Sequence, residues 1–352
     1  MVDILVVLLP GLILGIIFGI ILQRGRFCMN SAFRDIIVLK EFTLIKSVIL
    51  AILISMLGFA VMAFGNIITL NPKPFAPVAN IVGGFIFGMG MTLAAGCASG
   101  TTYRVGEGMM GSLVALFGYS IGAYITKSGA WSEFKTILQT YKISEDGTEA
   151  NLTVFGSELT PIFMLIIGIV GIAVVLYFWI LPMLKSRKTA GNKMFDFSDM
   201  GKKIFKNGWS WAITGIAVGI LALFAYVSSA ATGRNYALGI TGGWIGWLKY
   251  WTTGLDSALS WEVFLVVGIV IGAFISSMIA GEFKLRSPKD GKRILIQFIG
   301  GLAMGFGAVV AMGCNIGNTL SGVPLLSVGS LVSTAFIILG AWFLAYLLFM
   351  RK

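Results

Sequence analysis

GGFIFGMGMTLAAGCASGTT (residues 83–102) recurs downstream as GGLAMGFGAVVAMGCNIGNT (residues 300–319). The two stretches align without a gap: Gly83 on Gly300, Gly84 on Gly301, Gly88 on Gly305, Gly90 on Gly307, Gly96 on Gly313, Cys97 on Cys314, Gly100 on Gly317 and Thr102 on Thr319. Each is an apolar run that meets a Gly-Cys pair followed by small polar residues. Residues 81–95 are too few to cross roughly 30 Å of hydrocarbon, which takes about 20 residues. The pattern predicts a helix that breaks inside the protein, where the freed backbone groups must be satisfied by protein, water or a ligand. A duplicated pair of interrupted membrane segments is the sequence mark of a transporter site at the interface of two repeats.

Composition supports the membrane reading. Hydrophobic residues make up 57% of the 352 and charged residues 12%, about half the charge of an ordinary soluble domain. Apolar runs at 4–22, 44–64, 161–184, 210–231, 262–281 and 328–350 are each near spanning length. With the two Gly-Cys segments and 110–126 they predict an all-α polytopic protein of about nine transmembrane helices. The first run lacks a basic flank and a small-residue cleavage site, so it reads as a retained helix. The 26 basic residues exceed the 15 acidic ones, but the excess lies in membrane-flanking loops, which excludes nucleic acid as the partner. There is no histidine and no CxxC. No catalytic residue, metal site or cofactor is expected.

Loop charge sets the orientation. Segments 23–46, 185–206 and 282–293 are basic; segment 127–160 holds three lysines against five acidic residues, and 65–80 holds only Lys73. The positive-inside rule places the first three in the cytoplasm and the last two outside. The N-terminus is then outside and the C-terminus, Arg351 and Lys352, inside. Repeat one covers 1–126 and starts outside. A loop and an extra helix occupy 127–207. Repeat two covers 208–352 and starts inside. The single membrane domain is thus read as two inverted repeats, a plan that brings Cys97 and Cys314 toward each other. Gly11 and Gly15 against Gly215 and Gly219, and Gly25-Arg26 against Gly233-Arg234, extend the duplication.

Cys97 and Cys314 are the first candidate site residues. A buried cysteine is often only a small apolar residue, but two at matched breaks point to function. Gly96, Gly100, Gly313 and Gly317 permit tight turns and close ligand approach, and a helix restarting after the break favours an anion. Thr101, Thr102, Asn318 and Thr319 add hydroxyl or amide donors. Cys28 lies in RGRFCMNSAFRD (24–35); its repeat counterpart near Tyr236 is not cysteine. Arg26, Arg104 and Arg234 are candidate anion-attracting charges, although Arg104 and Glu107 are also spaced for an i,i+3 pair. Trp244, Trp247, Tyr250 and Trp251 read as an interfacial aromatic belt.

GRFCMNSAFRD, GMTLAAGCASGTTYRVGEG and GCNIGNTLSG together resemble the YeeE/YedE sulfur-transport family of bacterial inner-membrane proteins, over essentially the whole chain. The resemblance implies uptake of thiosulfate along a narrow central path lined by three cysteines, which map onto Cys28, Cys97 and Cys314. It implies relay of the anion between thiols by S–H···S and S–H···O contacts, without a large conformational change. The partner it implies is a soluble TusA/SirA-like cytoplasmic sulfur carrier. Some family members accompany selenium metabolism, so a selenium compound is the alternative cargo. A neutral thiol is a weak donor, whereas a thiolate would repel a dianion, so the path favours protonated thiols. Two further classes stay open on the residues alone: a thiol-based membrane redox enzyme, which would need closely paired cysteines, and a permease or channel with incidental cysteines.

Overall fold

The computed structural model describes residues 2–143, 152–182 and 206–351. The basic stretch 183–205 and residues 144–151, both used in the charge reading, lie outside the described residues. The described residues form helices and three isolated bridge pairs, with no strand. In chain order the helices are α1 (Val2–Gly25), α2 (Met29–Val38), α3 (Thr43–Phe64), α4 (Pro77–Leu93), α5 (Ala98–Gly106), α6 (Met110–Ser128), α7 (Ser132–Leu138) and α8 (Gly156–Val175). They continue with α9 (Trp211–Ala230), α10 (Thr241–Thr253), α11 (Trp261–Ala280), α12 (Gly291–Val310) and α13 (Val328–Ala345), with a π-helical turn at Ile316–Gly322 between the last two.

Eight spans among the described residues are long and apolar enough to cross a membrane. All nine expected helices form. The one outside that set is α6, a full 19-residue helix whose glycines, serines and tyrosines dilute its hydropathy. α8 is the least buried span and presents Ile162, Ile166, Ile169 and Val170 outward. The short helices α2 and α5 directly follow spans and are merged with them by hydropathy: Leu8–Val38 and Pro77–Gly106 each run as one apolar segment.

Glycine decides how the helices meet, because van der Waals packing rather than hydrophobic exclusion drives helix association in lipid. Gly11, Gly15 and Gly19 of α1 face Trp261, Leu265 and Ile269 of α11, so these helices run in the same direction. α3 and α9 also run together, with Gly215 on Ser47, Gly219 on Ala51 and Gly58 on Leu223. Gly118 and Gly122 of α6 lie on Phe298 and Leu302 of α12, and Gly84 and Gly88 of α4 on Ser333 and Ile337 of α13, again parallel. α4 and α12 cross antiparallel: Gly83 meets Ala311 and Gly307, while Gly90 meets Gly300 and Met304. The chain breaks that follow α4 and α12 therefore lie at opposite ends of that crossed pair.

The two breaks share one backbone geometry. Ala95 and Met312 take left-handed φ values of 57° and 56°. Gly96 N–H donates to Met91 O at 3.0 Å, and Gly313 N–H to Ala308 O at 2.7 Å. These bonds close the helix ends as a Schellman motif does. The chain then restarts with Thr101 N–H on Cys97 O and Asn318 N–H on Cys314 O, both at 2.8 Å. The residue that turns the chain is thus not the glycine, as the motif suggested, but the residue before it. A left-handed conformation costs a non-glycine residue roughly 1–2 kcal/mol, so packing around the break imposes it.

Candidate functional site

Gly96 and Gly313 have another use. A Cβ on Gly313 would collide with Lys73 Nζ, and one on Gly96 would lie 3.2 Å from Arg104 Nη1. Each break therefore admits a cation against its Gly-Cys step. Arg104 Nη1 donates to Ala95 O at 2.5 Å. It turns back to the break rather than to Glu107, which accepts from Gln23. Lys73 Nζ donates to Asn318 Oδ1 at 3.2 Å and lies 5.1 Å above the Tyr236 ring. Lys73 is in the connection between α3 and α4, outside both spans. Its pKa is lowered from the ordinary lysine value of 10.5 to about 8, above all by desolvation; Cys314 and Glu262 raise it and Arg234 lowers it further.

All three cysteines are free thiols and buried. Cys97 caps α5: its Sγ accepts from Gly100 N–H at 3.3 Å and lies 3.5 Å from Ser99 Oγ. Cys28 occupies the cap position of α2, and its Sγ lies 3.8 Å from Cys97 Sγ. Both sulfurs thus stand at helix N-termini, whose free N–H groups favour electron-rich partners. Gly100 makes the contact possible: a Cβ there would be 2.7 Å from Cys28 Sγ and 3.2 Å from Cys97 Sγ. The sulfur that meets Cys97 is that of Cys28, not of Cys314.

Cys314, Gly313 and Gly317 line a separate cavity of about 350 Å³, together with Lys73, Lys127, Lys135 and Arg234. Among the described residues Glu262 is the one carboxylate in its lining, and it pairs with Arg234 at 2.8 Å. Four cations against one anion make it an attractive basin for a small dianion. Tyr119 of α6 hydrogen-bonds Thr241, which lines the cavity, at 2.8 Å.

The other expected residues divide sharply. Thr101 donates to Cys97 O and Ala98 O, and Thr102 to Ala98 O. Thr319 pairs with Thr334. Asn318 donates to Gly313 O and Ala311 O and accepts from Lys73 and Ser330. These side chains hold the breaks in shape. Arg26 is well exposed and reaches Glu282 at 3.4 Å, beside the ion pair that Glu282 makes with the buried Arg24. It is remote from its repeat counterpart Arg234, which lines the cavity. Trp244 is not part of a belt: it is buried, and its Nε1 donates to Thr102 Oγ1 at 3.0 Å. Trp251 is exposed.

Lys73 is the site residue that motif reading missed. Its signal was being the lone charge in a loop otherwise free of charge. Tyr236, at the position equivalent to Cys28, donates its hydroxyl to Gly317 O at 2.7 Å. A phenol thus touches the second break where a thiol touches the first.

The family described as sulphur transport matches residues 24–343. The thiosulfate transporter TsuA of Spirochaeta thermophila is 40% identical over 344 residues, covering 97% of this chain and 99% of the relative. TsuA of Escherichia coli is 33% identical over 348 residues, 98% of this chain and 95% of the relative. The probable transporter YedE of Escherichia coli is 31% identical over a shorter stretch of 132 residues, 37% of this chain and 32% of the relative. With its motifs, its helical architecture and a match over nearly its whole length, this chain belongs to the YeeE/YedE sulphur-transport family.

Proposed function

We propose that the protein is a transporter, not an enzyme, and takes up thiosulfate or a closely related sulfur oxyanion through a path lined by Cys314, Cys97 and Cys28. The observation that carries this reading is the placement of the thiols: Cys314 on a cationic cavity, and Cys97 in contact with Cys28 at the other break. Near-full-length similarity to relatives named thiosulfate transporters supports the cargo. The cavity draws the dianion in and offsets part of its desolvation. Soft thiols then face its terminal sulfur, which sulfate lacks, while the partial positive charge of the α2 and α5 N-termini favours its oxygens.

The direction of the helices supports two inverted repeats, 1–126 and 208–352, as a single membrane domain. α1 and α9, at equivalent positions, run antiparallel: Gly25 meets Thr214 at one end, while Trp261, which faces Gly11, bonds Ser228 at the other. The cavity gathers residues from the two segments expected outside, Lys73 with Lys127 and Lys135. Arg26 and Glu282, from two segments expected in the cytoplasm, meet each other. Both facts support a bacterial inner-membrane orientation with the N-terminus outside and the C-terminus in the cytoplasm. The Cys28 end then faces a cytoplasmic TusA/SirA-like carrier, and the outward apolar faces meet membrane lipid.

The test is growth of a sulfur-uptake-deficient bacterium carrying this protein. Growth on thiosulfate as sole sulfur source is expected. Failure on thiosulfate, with rescue on another sulfur source or uptake of a selenium compound instead, would overturn the cargo.

A further inference from the structure

Six buried side-chain polar atoms among the described residues have no hydrogen-bond partner within the protein, and four of them belong to Asn30 and Asn315. Neither amide makes any bond, and both residues are buried, at 1% and 0% exposure. Buried polar groups are nearly always paired, and an unpaired one destabilises the fold, so each calls for a cause. Both asparagines stand at path thiols. Asn315 directly follows Cys314, and Asn30 is in the first turn of α2 two residues after Cys28, with its backbone beside the Cys97 sulfur. Asn318, three residues beyond Asn315, makes the opposite case: both of its amide atoms are bonded inside the break. The threonine hydroxyls of both breaks are likewise committed. Two side chains at the thiol stations therefore keep their full hydrogen-bonding capacity: two N–H donors and one carbonyl each.

We infer that Asn30 and Asn315 are substrate-binding residues that hold the oxygens of the passing sulfur oxyanion. At each station the amide N–H groups donate to oxyanion oxygens while the adjacent thiol faces the terminal sulfur. The inference rests on the three-thiol path. It divides recognition between two chemistries: amides read the sulfonate end and thiols read the sulfane end. A neutral amide suits this role, because it binds a dianion without holding it as a fixed cation would.

The test uses the full-length protein reconstituted into liposomes, with Asn30→Leu and Asn315→Leu. Radiolabelled thiosulfate uptake, the melting temperature, and the rise in melting temperature on adding thiosulfate are measured together. Each variant is expected to lose at least about tenfold in uptake and to lose the thiosulfate-dependent rise, with an unchanged or higher melting temperature, because removing an unpaired buried amide relieves a penalty. A lower melting temperature with uptake intact would overturn the inference and mark the amides as structural or water-bound. If a leucine variant does not fold, Ser and Ala at the same position decide. Serine retaining uptake that alanine loses supports the role, and equal uptake in the two overturns it. Cys97→Ala serves as the control. Loss of uptake there with both leucine variants active overturns this inference alone, whereas retained uptake in Cys97→Ala overturns the path itself.

Discussion

External pH should switch uptake through Lys73. Its ammonium group lies against the Gly313–Cys314 step, bonded to Asn318 and over Tyr236. Desolvation brings its pKa down to about 8. The sign is direct: the charged form is present below that value and lost above it. A group with this pKa is about nine-tenths charged at pH 7 and just under about one-tenth charged at pH 9, so a step that needs the charge falls roughly tenfold between them. Thiosulfate itself stays a dianion over this range. The assay is initial-rate uptake of radiolabelled thiosulfate by intact cells with only the external pH varied. Wild type should fall severalfold from pH 7 to 9. Lys73→Met should be slow and flat, and Lys73→Arg should be flat at the higher rate, because guanidinium does not titrate there. A flat wild-type profile, or a Lys73→Arg variant that falls in parallel with wild type, would refute the role of this charge.

Three further outcomes follow from the packing. Gly100→Ala places a methyl group 2.7 Å from Cys28 Sγ, so it should push the thiols apart and lower uptake at least about tenfold, as a lost hydrogen-bonding geometry would, while circular dichroism stays helical. Mild oxidation of wild type should link Cys28 to Cys97, whose sulfurs are 3.8 Å apart, and peptide mapping that found Cys97 linked to Cys314 would contradict the arrangement. Gly301→Ala drives a methyl group into the Ala115 carbonyl at the α6–α12 crossing and should destabilise by about 1–3 kcal/mol, read as a lower melting temperature in detergent with the thiol cross-link preserved.

Periodicity and composition sufficed for the helices because a spanning segment must satisfy its own backbone and meet lipid with apolar side chains. The two breaks were visible as well: each apolar run ends in Gly-Cys followed by small polar residues, a composition that interrupts a lipid-spanning helix. What the motifs could not reveal depends on contacts between distant segments. The left-handed turn falls on Ala95 and Met312, residues with no preference for it, because packing rather than local propensity sets the break. Lys73 reaches the second break only through the tertiary fold, 245 positions from its partner Asn318. Trp244 reads as a belt residue beside Trp247 and Trp251, but α10 carries it inward to Thr102. Thr101, Thr102, Asn318 and Thr319 were legible as polar residues at the breaks, but not the fact that their hydrogen bonds are spent there. Asn30 and Asn315 passed as ordinary motif neighbours until their lack of partners set them apart.

The three-thiol path is tested most directly by initial-rate thiosulfate uptake in Cys28→Ala, Cys97→Ala and Cys314→Ala, each normalised to folded protein in the membrane. Each thiol is small and buried without a disulfide, so alanine should leave the fold intact while removing one station. The path predicts that every single variant loses at least about tenfold in uptake, because stations in series fail one at a time. Wild-type uptake in any one of the three variants would contradict it.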